Sequence, residues 1–309
     1  MSKSFALPVR TPAPALVFGA LILVQVLFGV NYVVSKVLVG NFPPLVWASI
    51  RLVIAASAMM AVAYFSGRKH PTKDRKFFVP LIRFALLGII LNQGAFLLGM
   101  SYTTATNSAV LNTLIPIFTL MIVTLRGQEA LTIPKCLGFV AALMGVLVIR
   151  RVDQFSLSDQ TLIGDLLTMF NCLCYAFFLS YSKPFLEAHD RVWTTAWLFT
   201  YGAFAMPVLA LPSLQGFHPP EMTHTLIACM AFSILGGTVG TYFLNLWALT
   251  YTRSSSVALF IYLQPLVASA VAWAWLGERA TLRVVISSLL ILTGVVLGLY
   301  GSSFGRKTV

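Results

Sequence analysis

The chain has 309 residues, 58% of them apolar and only 10% charged, with a mean hydropathy of +0.87; soluble domains carry about a quarter charged residues, so a water-soluble enzyme, a disordered chain and a collagen-like chain are all excluded. A transmembrane barrel is excluded too, because its strands would alternate apolar and polar residues, whereas this chain runs apolar for long stretches. The net charge of +12 would suit nucleic acid in a soluble protein, but in a membrane protein it reflects the cation bias of cytoplasmic loops.

Apolar runs predict ten helices, at 15–39, 43–65, 77–100, 103–125, 133–150, 162–183, 192–212, 223–249, 254–276 and 281–301. The first follows Lys3 and Arg10 and has no small-residue cleavage site after it, which suits an anchor that stays in place rather than a cleaved signal. Pro43 and Pro44 separate the first two runs. Polar connectors fall at 66–76 and 150–161, while the joins near 101–104 and 250–255 are thin. With the N-terminus placed in the cytoplasm, 14 Lys and Arg lie on that side, including Arg68, Lys69, Lys73, Arg75 and Lys76. Only four, Arg150, Arg151, Arg279 and Arg283, lie opposite, while Lys36, Arg51 and Arg83 fall inside helices. This split predicts an even number of crossings in the cell (inner) membrane with both termini cytoplasmic.

Shifted by 149 residues, the sequence matches itself: Gly88 falls on Gly237, Tyr102 on Tyr251, Thr103 on Thr252, Pro116 on Pro265, Glu129 on Glu278, Thr132 on Thr281 and Gly145 on Gly294. Helices 1 and 6 align at a shift of 147, where Ser35 and Lys36 meet Ser182 and Lys183. Each half then holds five helices. Five is odd, so the second half enters the membrane upside down. The expected fold is an all-α integral membrane protein of ten transmembrane helices in two inverted repeats, 15–150 and 162–301. Inverted repeats are the architecture of secondary transporters, with substrate held near the midplane where the repeats meet.

The segment Ser108–Pro116 (SAVLNTLIP), followed by Glu129 and Gly145, resembles the EamA domain of the drug/metabolite transporter superfamily. The second copy, Ser255–Pro265 (SSVALFIYLQP), then Leu276, Gly277, Glu278 and Gly294, is a fuller match. Arg51 stands where such domains usually carry an Arg on their second helix. Phe28-Gly29 and Tyr175-Ala176 stand where the family usually has a Trp followed by Gly or Ala. The resemblance spans about residues 15–301 and implies two EamA repeats that export or exchange small metabolites.

Polar groups at bilayer depth must find partners, so they are the candidates for a substrate site. Thr238, Tyr242 and Asn245 share one face of helix 8 at i, i+4 and i+7. Helix 1 carries Asn31 and Ser35, helix 3 Asn92 and Gln93, helix 4 Asn112, and helix 9 Gln264. With Tyr175, taken from the resemblance, the expected cavity is lined by Asn31, Asn92, Asn112, Tyr175, Tyr242, Asn245 and Gln264; interhelical hydrogen bonding is the competing role. Lys36 and Arg51 are candidates for charge or gating, with Lys36 and Lys183 close enough to helix ends to snorkel. Pro116 and Pro265 are candidate symmetric bends, since each removes a backbone donor. Asp165 reads as a cap at the start of helix 6, and Glu129 and Glu278 as caps of the helices they precede.

No catalytic residue, metal site or cofactor is expected. Cys136, Cys172, Cys174 and Cys229 lack C-x-x-C spacing, and no phosphate loop is present. Gly294 with Gly298 and Gly236 with Gly240 form G-x-x-x-G pairs that suit packing within one chain and homodimerisation equally. The expected function is a permease of a small-molecule substrate in a lipid bilayer, exporting amino acids or related compounds by alternating access. A membrane-embedded lipid-handling enzyme, or a non-transporting structural membrane protein, is the alternative.

Overall fold

The computed structural model describes residues 12–71, 75–102, 108, 111–149, 159–264, 266–267, 270 and 282–304. The helices are α1 (Pro14–Asn41), α2 (Pro44–Phe65), α3 (Arg75–Tyr102), α4 (Leu114–Leu125), α5 (Ile133–Ile149), α6 (Asp159–Ala188), α7 (Arg191–Ala210), α8 (His224–Leu249), α9 (Ser254–Leu263) and α10 (Leu282–Phe304). Among the described residues there is no strand. Six of these helices, α1, α2, α3, α6, α7 and α8, are long and apolar enough to cross a membrane, and the rest contain shorter apolar stretches. Leu16, Ile22, Val62, Leu137, Phe204 and Leu289 are among the large apolar side chains exposed on the outer faces of the helices. An exterior this apolar suits lipid, not water, as solvent.

Local chemistry sets the helix starts. Pro14 and Pro44 open α1 and α2, where a missing N–H costs no hydrogen bond. Asp190 caps α7, its Oδ1 accepting from the backbone N of Val192 and Trp193 at 3.0 Å each. Thr223 caps α8 through Leu226 N at 3.2 Å. The long helix α6 begins at Asp159, so Asp165 lies in its second turn, 2% exposed. It is therefore a buried residue within the helix rather than the expected cap.

The packing follows the internal repeat. α2 lies against α7 and α5 against α10, while α3 packs on α6 and α1 on α8. Exchanging each helix with the one five places later leaves this set of neighbours unchanged. The equivalent helices also run in opposite directions. Along α5 and α10, Lys135 abuts Gly301, Gly138 abuts Gly298 and Ala142 abuts Gly294. Along α2 and α7, Phe42 meets Phe217 at one end and Arg68 pairs with Asp190 at the other. The two halves are therefore inverted repeats. The α5–α10 seam is tight: a Cβ on Gly138 would sit 2.3 Å from Gly298 N. Gly294 and Gly298 are thus engaged within the chain.

Two features bear on the sequence reading. Helices α3 and α8 each widen to a π-helix over six residues, Leu86–Leu91 and Leu235–Gly240, and these stretches coincide at the 149-residue shift. Each carries a glycine facing another helix: a Cβ on Gly88 would meet the Phe178 ring at 2.5 Å, and one on Gly237 would meet Asn31 Oδ1 at 2.4 Å. Asn31 and Phe178 are themselves equivalent at the 147-residue shift. The second concerns Pro116. The chain turns at Thr113 and α4 restarts at Leu114, so Pro116 sits in the first turn of α4, where the backbone N–H would be unpaired anyway. The helical course of Leu111 and Asn112 is thus interrupted at Thr113, which keeps αR backbone angles, three residues before Pro116. Pro265 lies outside the described residues.

Candidate functional site

A cavity of about 80 Å³ lies where the repeats meet. Asn31, Asn92, Asn112, Tyr175, Tyr242, Asn245 and Gln264 all line it, and so does Arg51. They come from α1, α2, α3, α6 and α8, from the approach to α4 and from the end of α9, and the outermost are over 200 positions apart in sequence. Gln25, Tyr32, Gln93, Asn171, Phe28 and Phe96 complete much of the wall. That volume is well below the roughly 300 Å³ of an ordinary ligand pocket.

Most of the polar wall is bound to itself. Asn112 Nδ2 donates to Ser108 O at 2.8 Å, and Asn171 Nδ2 donates to Asn112 Oδ1 at 2.9 Å. Asn92 Nδ2 donates in turn to Asn171 Oδ1. The Tyr242 hydroxyl lies 2.9 Å from Gly88 O and 3.1 Å from Asn92 Oδ1, its single proton shared between them. Each amide in this chain gives with nitrogen and receives with oxygen, which suits a low-dielectric interior. A second set joins α1 to α9: Tyr32 donates to Gln264 Oε1 at 3.2 Å, and Gln264 Nε2 to Gln25 Oε1 at 2.8 Å. Asn245 Nδ2 donates to the Tyr175 hydroxyl at 2.8 Å.

Arg51 is 2% exposed and donates to Gln93 Oε1. Lys36 is not in the cavity wall; its Nζ donates to Met100 O at 3.1 Å, near the C-terminal end of α3. Its repeat equivalent Lys183 donates to Thr252 O, just beyond α8. Both lysines thus donate to backbone carbonyls near the C-terminal ends of α3 and α8, where a cation is favoured. Glu129 does not cap α5, which it precedes. It accepts from Ser255 N at 3.2 Å and from the Ser255 hydroxyl at the start of α9, and pairs with Lys135 Nζ at 2.6 Å. The α9 N-terminus and the buried ammonium compete successfully for its carboxylate. Glu278 lies outside the described residues.

Asn171 and Gln25 are the site residues that the sequence reading passes over. A helical stripe marks each: Asn171 and Tyr175 are four apart on α6, and Gln25, Phe28 and Tyr32 fall at i, i+3 and i+7 on α1. Among the described residues no group of three or more His, Cys, Asp or Glu could hold a metal ion.

The sequence profile of the EamA-like transporter family matches residues 16–151 and 162–300. The chain is 24% identical over 289 residues to the uncharacterized transporter YoaV of Bacillus subtilis, covering 94% of this chain and 98% of that protein. It is 26% identical over 281 residues to an uncharacterized transporter of Archaeoglobus fulgidus, covering 90% and 95%. A WAT1-related protein of Arabidopsis thaliana is 23% identical over 332 residues, covering 96% and 89%. A solved crystal structure superposes with a TM-score of 0.76 at 12% identity, over 95% of this chain and 98% of the other, which is a likeness of fold alone.

Proposed function

The chain belongs to the EamA-like transporter family and is a membrane transporter; from that premise we propose that it is a secondary transporter exporting amino acids or related small metabolites across the cytoplasmic (inner) membrane by alternating access. The observation that carries this reading is the cavity between the inverted repeats, walled by amides and tyrosines from both halves. Midplane placement between inverted repeats is where secondary transporters hold substrate. The substrate and the bilayer are the partners the cycle needs. The site is enclosed by one chain, so a homodimer is not required to complete it.

In this reading the chain crosses ten times with both termini cytoplasmic, as the cation distribution supports. The compact cavity corresponds to a closed state, and substrate enters when one side opens. The π stretches of α3 and α8 are the hinges, because π geometry leaves the hydrogen-bond ladder locally loose and recurs at functional sites. Pro116 and its repeat partner Pro265 set the starts and surroundings of the neighbouring helices.

The test is transport by the purified chain in liposomes loaded with labelled amino acids, against empty liposomes and against the Asn92→Ala variant. Release above the empty-liposome rate, lost in the variant, supports export of this class. Release of no amino acid, with release of another metabolite class from a loaded cell extract, would move the assignment to that class.

A further inference from the structure

The consecutive helices α4 and α5 stand apart: α4 packs on α6 and α9, and α5 packs on α10. Between them runs an open groove of about 430 Å³, within the size range of ordinary ligand pockets. Ile117, Leu120 and Leu125 form its α4 wall, and Phe139, Val140 and Leu143 its α5 wall. Among the described wall residues only Thr124 and Cys136 carry a polar atom, and none is charged. Leu125 is 80% and Val140 58% exposed, so the groove opens outward, to lipid in a chain that spans the bilayer. From Ile117 to Leu125 the wall runs about 12 Å at the helical rise, close to the roughly 15 Å of half a hydrocarbon core.

The groove ends where α4 ends, at Leu125, and the next residue, Arg126, is exposed at that rim. Its Nη1 donates to Ser180 O at 2.9 Å and to Gln128 Oε1 at 3.1 Å, and its guanidinium lies 3.6 Å from the centre of the Tyr181 ring. These partners hold the side chain without neutralising it. Among the described residues no carboxylate pairs with it, and its Nη2 and Nε remain for a further acceptor. The repeat-equivalent position carries Trp275, so this cation belongs to one repeat and therefore to one leaflet.

We propose that the groove holds an anionic phospholipid of the leaflet at the C-terminal end of α4, one acyl chain lying between α4 and α5 and the phosphate on the Arg126 guanidinium. In the topology proposed above this is the cytoplasmic leaflet. Such a lipid supplies both parts of the match, an apolar chain one leaflet deep and an anion at the helix end. A zwitterionic lipid offers the same chain and phosphate but brings a second cation beside Arg126. A second copy of the chain would fill the groove with its own cation-rich face at the same level.

The experiment uses the purified full chain in detergent with Cys136, a groove residue, as its single cysteine and N-ethylmaleimide as the probe. Phosphatidylglycerol and phosphatidylcholine of identical acyl chains are titrated against the labelling rate. Phosphatidylglycerol should protect Cys136 at an about fivefold lower concentration, the preference one interfacial cation provides. Protection should be weaker one residue on, in Leu137→Cys combined with Cys136→Ala, because Leu137 is 56% exposed and outside the groove wall. Arg126→Gln should keep the protection and equalise the two lipids. If that variant does not fold, roughly 1 M salt, with a Debye length of about 3 Å, should equalise them in the parent. Equal protection at positions 136 and 137, equal potency of the two lipids in the parent, or a headgroup preference that survives both Arg126→Gln and salt would each overturn the proposal. Protection that needs no lipid and rises with protein concentration as a dimer forms would overturn it in favour of a second copy.

Discussion

Asn171 shows how much one side chain can decide in a membrane interior. It receives from Asn92 and donates to Asn112, so it ties α3, α6 and the approach to α4 together. Asn171→Leu would strand the buried Asn92 donor and Asn112 acceptor from their main partners, leaving only Asn171 O at 3.4 Å and the Cys172 thiol at 3.5 Å. Each stranded group costs about 1–3 kcal/mol, and the variant should melt well below the parent in detergent while Asn245→Ala, which breaks a single bond to Tyr175, costs about 1 kcal/mol. The helix 8 stripe bears on function as well. Tyr242→Phe and Asn245→Ala should each lower transport severalfold at normal expression; unchanged rates in both would leave that stripe as interhelical glue. Tyr242 and Asn245 were visible as a stripe in the sequence because their spacing matches the helical period. The bond from Tyr242 to the carbonyl of Gly88 was not visible, since no periodicity encodes which helix lies opposite.

At the scale of an element, two devices separate what repeats from what does not. The first is the buried clamp of Glu129, Lys135 and Ser255, where Lys135 is 0% and Glu129 8% exposed. Removing one member of a buried pair leaves the other charge uncompensated, at about 3–5 kcal/mol. Glu129→Gln should therefore lower the Tm sharply, and the double variant Glu129→Gln with Lys135→Met should recover much of the loss. The second device is the pair of π stretches. Gly88→Ala places a methyl 2.5 Å from the Phe178 ring, and overpacking of this kind costs about 1–3 kcal/mol. Transport should fall in Gly88→Ala and return when Phe178→Leu makes room. Failure of that rescue would assign the glycine to backbone freedom instead of packing. The sequence aligned Gly88 with Gly237, yet the widening of the helix around them was not legible, because π geometry answers to the neighbour across the interface.

For the whole molecule, orientation and inversion are separate claims with separate tests. The antiparallel course of α5 against α10 and of α2 against α7 follows from residue contacts at both ends of each pair. Which face is cytoplasmic is a proposal that rests on the cations alone. In a Cys-free background, a single cysteine at position 70 should be shielded from an impermeant reagent applied to intact cells, and one at position 155 should react. Labelling of position 70 from outside would reverse the topology.

The sequence by itself determined that this chain lives in a bilayer, that it is duplicated, that the copies are inverted and that it resembles EamA proteins. Those properties are one-dimensional: apolar run length, helix parity and a register of matching residues are read without knowing any contact. It also nominated polar residues at depth, since water is absent there and each must serve some purpose. Only the tertiary structure decided that Gln25 meets Gln264 across 239 positions, that Glu129 serves α9 in place of α5, and that the chain turns at Thr113, three residues before Pro116. Those outcomes depend on helix rotation and crossing, which are set by the packing of small residues and by the pairing of buried polar groups. Hydropathy is blind to both, because it records how apolar a helix is and not which face it turns inward.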